Sequence, residues 1–87
     1  MQHFVYIIKN KQSNSLYIGR TANLKKRLVE HNRGESFYTK RYKNWKLVYA
    51  EIYLSREDAI EREKRLKKFA KSYAMLKSRI RRSILKI

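Results

Sequence analysis

The stretch LYIGRTANLKKRLVEHN, from Leu16 to Asn32, puts an arginine and a histidine where a helix keeps its leucines. A helix turns about 100° per residue. With Leu24 at zero, Leu28 falls at about 40°, Arg27 at about −60° and His31 at about −20°. The four share one sector, and Lys25, Lys26 and Glu30 lie elsewhere. Arg27 and His31 are therefore aimed at the sheet or its rim. Each alone has a plain structural account, a snorkelling arginine or a hydrogen-bonded core histidine. For the pair, beside a tyrosine-rich hairpin, chemistry weighs about as heavily as packing.

A later helix repeats the pattern with the opposite charge. With Ala59 at zero, Glu63 falls at about 40°, Leu66 at about −20° and Ala70 at about 20°. Glu63 sits in the apolar stripe and Glu61 well off it. A carboxylate in that position is costly unless it is paired or binds a cation. The simplest pair is a buried Arg27–Glu63 bridge. The functional alternative is a ligand for a hard divalent ion such as Mg²⁺, which takes one or two carboxylates with phosphate and water completing its shell. Tyr6 and Tyr17 lie on adjacent predicted strands and can share a face. In a cationic site a phenol loses its proton more easily, which suits a general base.

Three strands and three helices must position these groups. FVYIIK (4–9) and LYIG (16–19) read as a hairpin across a polar loop, NKQSNS. Thr21 or Asn23 can cap a helix starting near Ala22, and Gly34 can end it. Residues 35–44 show no period and read as a loop. WKLVYAEIYL reads as a third strand, with Trp45, Leu47, Tyr49, Glu51 and Tyr53 alternating against Val48, Ala50 and Ile52. Ser55 resembles a capping residue, and Glu57 and Asp58 suit the positive end of a helix. Apolar residues from Phe69 to Ile87 recur in steps of three and four, and a break near 70–72 lets two helices pack on so small a sheet. The expected fold is α+β: a three-stranded antiparallel sheet flanked by helices, in the order β-β-α-β-α-α.

Composition narrows the partners. The 87 residues form one expected domain, with a basic helical segment from about residue 72. Lys and Arg number 23 against 7 acids, a formal charge of +16. Nucleic-acid phosphate is the first partner this implies, through counterion release. No cysteine is present, so there is no disulfide or thiolate metal site, and a cytoplasmic location is expected. No apolar run is long enough to cross a bilayer, and the N-terminus does not read as a signal peptide.

These residues resemble the GIY-YIG endonuclease superfamily. FVY (4–6) stands where the family has Gly-Ile-Tyr, with Phe4 in place of the glycine, and YIG (17–19) matches the second half of the signature. TANLKKRLVEHN resembles the family's Thr…Asn-Leu…Arg…His segment. AIEREKRLKK resembles its Ala-x-x-x-Glu-x-x-Leu-Lys segment, and FYTKRYKNWKLVYAE the intermediate segment of the small stand-alone bacterial members. The likeness runs from residue 3 to about 77. It implies phosphodiester hydrolysis with one divalent metal, Mg²⁺ or Mn²⁺, and no small-molecule cofactor. Under it Tyr6 is the general base or positions the water, and Tyr17 hydrogen-bonds the phosphate or nucleophile. Arg27 stabilises charge on the phosphoryl oxygens, His31 assists proton transfer or orients a tyrosine, and Glu63 holds the metal. Gly19 permits close approach of backbone or substrate. Tyr38, Thr39 and Lys67 are substrate-contact candidates, with Trp45 either wall or core.

The expected activity is a metal-dependent endonuclease, acting most simply on DNA with low sequence specificity or with a structure or single-strand preference. A role in DNA repair is expected from that activity. The rival is a non-catalytic nucleic-acid-binding module whose basic tail contacts phosphate and whose Arg27–Glu63 pair is structural. A weaker third reading is a protein-interaction or membrane-surface helix at the C-terminus, against which packing on the sheet is favoured. Oligomeric state is left open.

Overall fold

The computed structural model describes residues 1–87. Strands β1 (His3–Asn10), β2 (Leu16–Thr21) and β3 (Trp45–Tyr53) form one antiparallel sheet in the order β2-β1-β3. Helix α1 (Leu24–Asn32) precedes β3, and α2 (Arg56–Lys68), α3 (Ala70–Arg79) and α4 (Arg81–Leu85) follow it. β1 is the central strand because its side chains suit burial on both faces. Val5, Tyr6, Ile7 and Ile8 are all essentially inaccessible.

The two faces carry different cores. Val5, Ile7 and Ile18 pack with Ala59, Leu66, Leu76 and Ile80 of the C-terminal helices. Tyr6 and Ile8 pack with Trp45 on the other face, against Leu24, Leu28, Tyr17 and Tyr42. The α1 helix therefore covers one face and α2–α4 the other.

Local chemistry sets the ends of the elements. The Asn23 side chain accepts from Lys26 N at 3.1 Å and caps α1. At the far end Gly34 adopts φ +76°. Its N–H donates to His31 O, and that of Glu35 reaches back to Glu30 O at 3.0 Å. This double closure needs a left-handed residue, which glycine supplies without a Cβ clash. Ser55 caps α2 through Asp58 N.

Two expectations are corrected. The simple alternation read for β3 fails at a register shift between Ile7, opposite Tyr49, and Ile8, opposite Leu47. One extra residue reverses which side chains face which way, so Trp45 joins the Tyr6 face while Tyr49 and Tyr53 join the Val5 face. The helical break falls at Phe69, and a second lies at Ile80. The second turn lets both Ile80 and Ile84 return to the core, and Lys9 Nζ caps the Ile84 carbonyl at 3.0 Å.

Candidate active site

The β1–β2 register sets Tyr6 opposite Gly19 and Ile8 opposite Tyr17. Cross-strand partners share a face, so both tyrosines point toward α1. Gly19 makes this possible. A Cβ there would fall inside contact distance of the Tyr6 Oη and Cζ atoms. The space predicted for substrate approach at Gly19 is thus filled by the Tyr6 ring.

His31 reaches the sheet from α1, as its helical phase predicts, and is fully buried. Its Nε2 lies 2.6 Å from Tyr6 Oη, and its Nδ1 lies 2.6 Å from Thr39 Oγ1. Burial, with the Arg27 charge assisting, lowers the His31 pKa to about 4, so the ring is neutral at pH 7. Burial also raises the Tyr6 pKa to about 12, outweighing the downward pull of Arg27. The expectation of an easily ionised Tyr6 is therefore reversed, because desolvation wins over the nearby cation. In the tautomer that carries its proton on Nδ1, the ring donates to Thr39 Oγ1 and accepts from the Tyr6 phenol at Nε2.

Arg27 keeps its side chain partly exposed beside this chain. Its Nη1 bonds Glu30 Oε1 at 2.8 Å and its Nη2 bonds Ser36 Oγ at 3.2 Å. The predicted Arg27–Glu63 bridge does not form. Arg27 turns to Glu30 and Ser36 on the α1 side, while Glu63 reaches the β2 edge from α2. Glu63 is instead held by Arg20 of edge strand β2 (3.3 Å) and by Lys67 one turn along α2 (3.0 Å). Arg20 was missed in the sequence. Strand alternation marks it, since it shares a face with Ile18 and is opposed to Tyr17 and Gly19.

Lys67 links the two faces around the β2 edge. Its Nζ bonds Glu63 and lies 5.5 Å from the Tyr17 ring centroid. Tyr17 in turn packs edge-on against His31, with centroids 5.3 Å apart. The five predicted catalytic residues thus run from buried Tyr6 on the central strand and His31 to partly buried Glu63 near the β2 edge. Tyr6 and His31 do not line an open hollow, and none of the surface cavities is lined by these five residues. Tyr17, Arg27 and Glu63 reach the surface, with Tyr6 and His31 behind them.

The substrate-contact candidates divide. Thr39 is buried and serves His31, while Tyr38 is exposed and stacks on Tyr17 at 6.4 Å. Trp45 is core. Its Nε1 donates to the carbonyls of Thr39 and Tyr42, both at 3.1 Å, and fixes the turn that carries Thr39. Asn32 fastens the end of α1 to Trp45 through both its amide atoms.

No cluster of three or more His, Cys, Asp or Glu side chains is present. Glu63 offers a single carboxylate, which fits a hard cation whose other ligands are phosphate and water. It does not fit a cation held by protein groups alone.

Comparison with known proteins gives the family. Residues 2–77 match the family model described as the GIY-YIG catalytic domain. The chain belongs to the GIY-YIG family. That match spans Tyr6, Tyr17, Arg27, His31 and Glu63 and places the protein in a nuclease family. The protein is 42% identical over 71 residues to a UPF0213 protein of Staphylococcus haemolyticus, covering 80% of this chain and 85% of that one. It is 39% identical over 70 residues to a UPF0213 protein of Staphylococcus aureus, covering 79% and 84%. The solution structure of a UPF0213 protein from Bacillus halodurans shares the fold, with a TM-score of 0.54 and 29% identity over 87% of this chain and 83% of that one. No helix is long and apolar enough to cross a membrane.

Proposed function

We propose that this GIY-YIG protein is a metal-dependent endonuclease that hydrolyses phosphodiester bonds, with DNA its simplest substrate. The observation that carries the reading is the 2.6 Å contact between the Tyr6 phenol and a buried, neutral His31. A phenol with a pKa near 12 is a poor base by itself. It becomes useful when an acceptor takes its proton as it receives another. His31, whose pKa is about 4 in the free protein, serves as that acceptor only once bound phosphate raises its proton affinity.

The chemistry follows from that chain. A water admitted to the nearly inaccessible Tyr6 hydroxyl as substrate binds gives a proton to Oη while the phenolic proton moves to His31 Nε2. The hydroxide attacks phosphorus, the bond to the leaving sugar oxygen breaks, and solvent protonates that oxygen. The imidazolium so formed is offset by the phosphate charge, and Thr39 holds the ring in the tautomer that can accept. Arg27 meets the charge growing on the phosphoryl oxygens, and Tyr17 orients the phosphate. Glu63 would hold Mg²⁺ or Mn²⁺, which when bound polarises the phosphate and stabilises the leaving oxygen. Arg20 and Lys67 balance Glu63 in the free protein, and the exposed Lys67 is free to turn toward phosphate.

The test is a cleavage assay on single-stranded, duplex and branched substrates with Mg²⁺, Mn²⁺ or chelator. Metal-dependent cleavage is expected, falling to background in Glu63→Gln while binding and thermal stability are kept. Salt-sensitive binding with no cleavage under any metal would overturn the reading in favour of a binding module.

A further inference from the structure

Two of the largest exposed apolar side chains stand next to each other beside the site. Phe37 is 74% exposed and Tyr38 76%. They are not on a loose loop. The turn that carries them is held by Thr39 on His31, Ser36 on Arg27, and the Thr39 and Tyr42 carbonyls on Trp45. The Tyr38 ring lies 24° from parallel with Tyr17, and Phe37 meets Tyr38 edge-on at 5.3 Å. Cations surround them. Lys40 Nζ lies 4.9 Å from the Phe37 centroid, Lys67 lies over Tyr17, and Arg41 shares a shallow groove with Gly34, Phe37, Tyr38 and Lys40. No acid lines that groove.

Rigidly held, water-exposed rings among lysines and arginines combine the two parts of a single-strand binding surface: a face for stacking and charge for the backbone. A paired base inside a duplex has both faces covered by its neighbours and cannot use such a ring. We propose that Phe37 and Tyr38 form a stacking platform for an unpaired nucleobase next to the scissile phosphodiester. The placement next to a scissile bond rests on the nuclease reading. The base contact does not, and it is read without cleavage.

The test uses the full chain in chelator, at fixed salt, with oligonucleotides carrying 2-aminopurine. The probes are single-stranded DNA, single-stranded RNA of the same sequence, and blunt duplex DNA with the probe base paired. Quenching of the single-stranded probe is expected. Phe37→Ala and Tyr38→Ala should abolish the quenching and weaken single-strand binding roughly tenfold, leaving duplex affinity unchanged. Phe37→Trp and Tyr38→Phe should retain both signals, and unchanged circular dichroism checks the fold. Quenching of DNA alone or RNA alone supports the platform and identifies its strand, and quenching of both assigns it to the base whatever the sugar. Alanine variants that bind like the parent, or that lose single-strand and duplex binding equally, overturn it. Intact quenching in a protein that never cleaves supports the platform and removes the nuclease reading.

Discussion

The two faces of the sheet each hold a tyrosine cluster, and the clusters are built on opposite principles. On the α2–α3 face, Tyr49 and Tyr53 donate to Glu51 at 2.7 and 2.6 Å, and Arg62 binds the same carboxylate through Nε and Nη2 at 2.9 Å each. Burial pushes the Glu51 pKa up, but the bonds from Arg62, Tyr53 and Tyr49 outweigh it and the net shift is down. On the α1 face, Tyr6 shares a hydrogen bond with an uncharged imidazole. Tyr53 and Tyr6 are both pushed up to about 12, burial being the main cause in each. The phenol's pKa therefore does not tell the clusters apart. The acceptor does. Glu51 is saturated and locked as an anion, so it serves as a structural clamp. His31 is neutral and can still take a proton, which is what the proposed mechanism requires of it.

The sharpest way to break this contrast is to remove one hydroxyl from each cluster. Tyr6→Phe should lower the cleavage rate on the order of 10²- to 10⁴-fold, whereas Tyr53→Phe should leave the rate of the folded protein unchanged. Equal losses would erase the distinction.

Next is pH. The folded His31 pKa of about 4 lies below the ordinary 6.5. The unfolded chain binds the extra proton first, so the stabilising effect is complete above pH 6.5 and lost as pH falls toward 4. It amounts to at most about 3 kcal/mol. Thermal unfolding between pH 7 and 4 should show a slope that His31→Gln flattens. Cleavage should fall over the acid end of the same range, as His31 becomes protonated.

Glu51→Gln should act on stability alone. It leaves Arg62 without its anion, at a cost of about 2–3 kcal/mol, or a Tm loss of roughly 10–20 °C for a chain of this size. Calorimetry beside an assay at low temperature separates the two quantities. Activity lost before stability would show that Glu51 belongs to the site.

Gly19→Ala tests the Tyr6–His31 contact through packing alone. The added methyl must displace the buried Tyr6 ring, an overpacking cost of about 1–3 kcal/mol. It should also lengthen the Tyr6–His31 contact and slow cleavage. A fully active Gly19→Ala protein would show that this contact is not needed.

Much of this site was legible in the chain because helical phase is a local property. The phase of Arg27, His31 and Glu63 follows from spacing to the leucines and alanines around them, and strand pairing of FVYIIK with LYIG put Tyr6 and Tyr17 on one face. The partners of these groups were not legible. Arg27 closes on Glu30 and Glu63 on Arg20, because α1 and α2 lie on opposite faces of the sheet. Thr39 turned inward because Trp45 folds its turn back, a contact that no local period encodes. The bulge in β3 hid Trp45 among the wrong neighbours for the same reason.

By itself the sequence determined the element types, the strong positive charge, and which way each reactive side chain leaves its own helix or strand, all of which depend on near neighbours. Only the tertiary structure decided which face each helix covers. That choice buries His31 and Tyr6 together, keeps Glu63 at the rim, and so sets both proton affinities through desolvation.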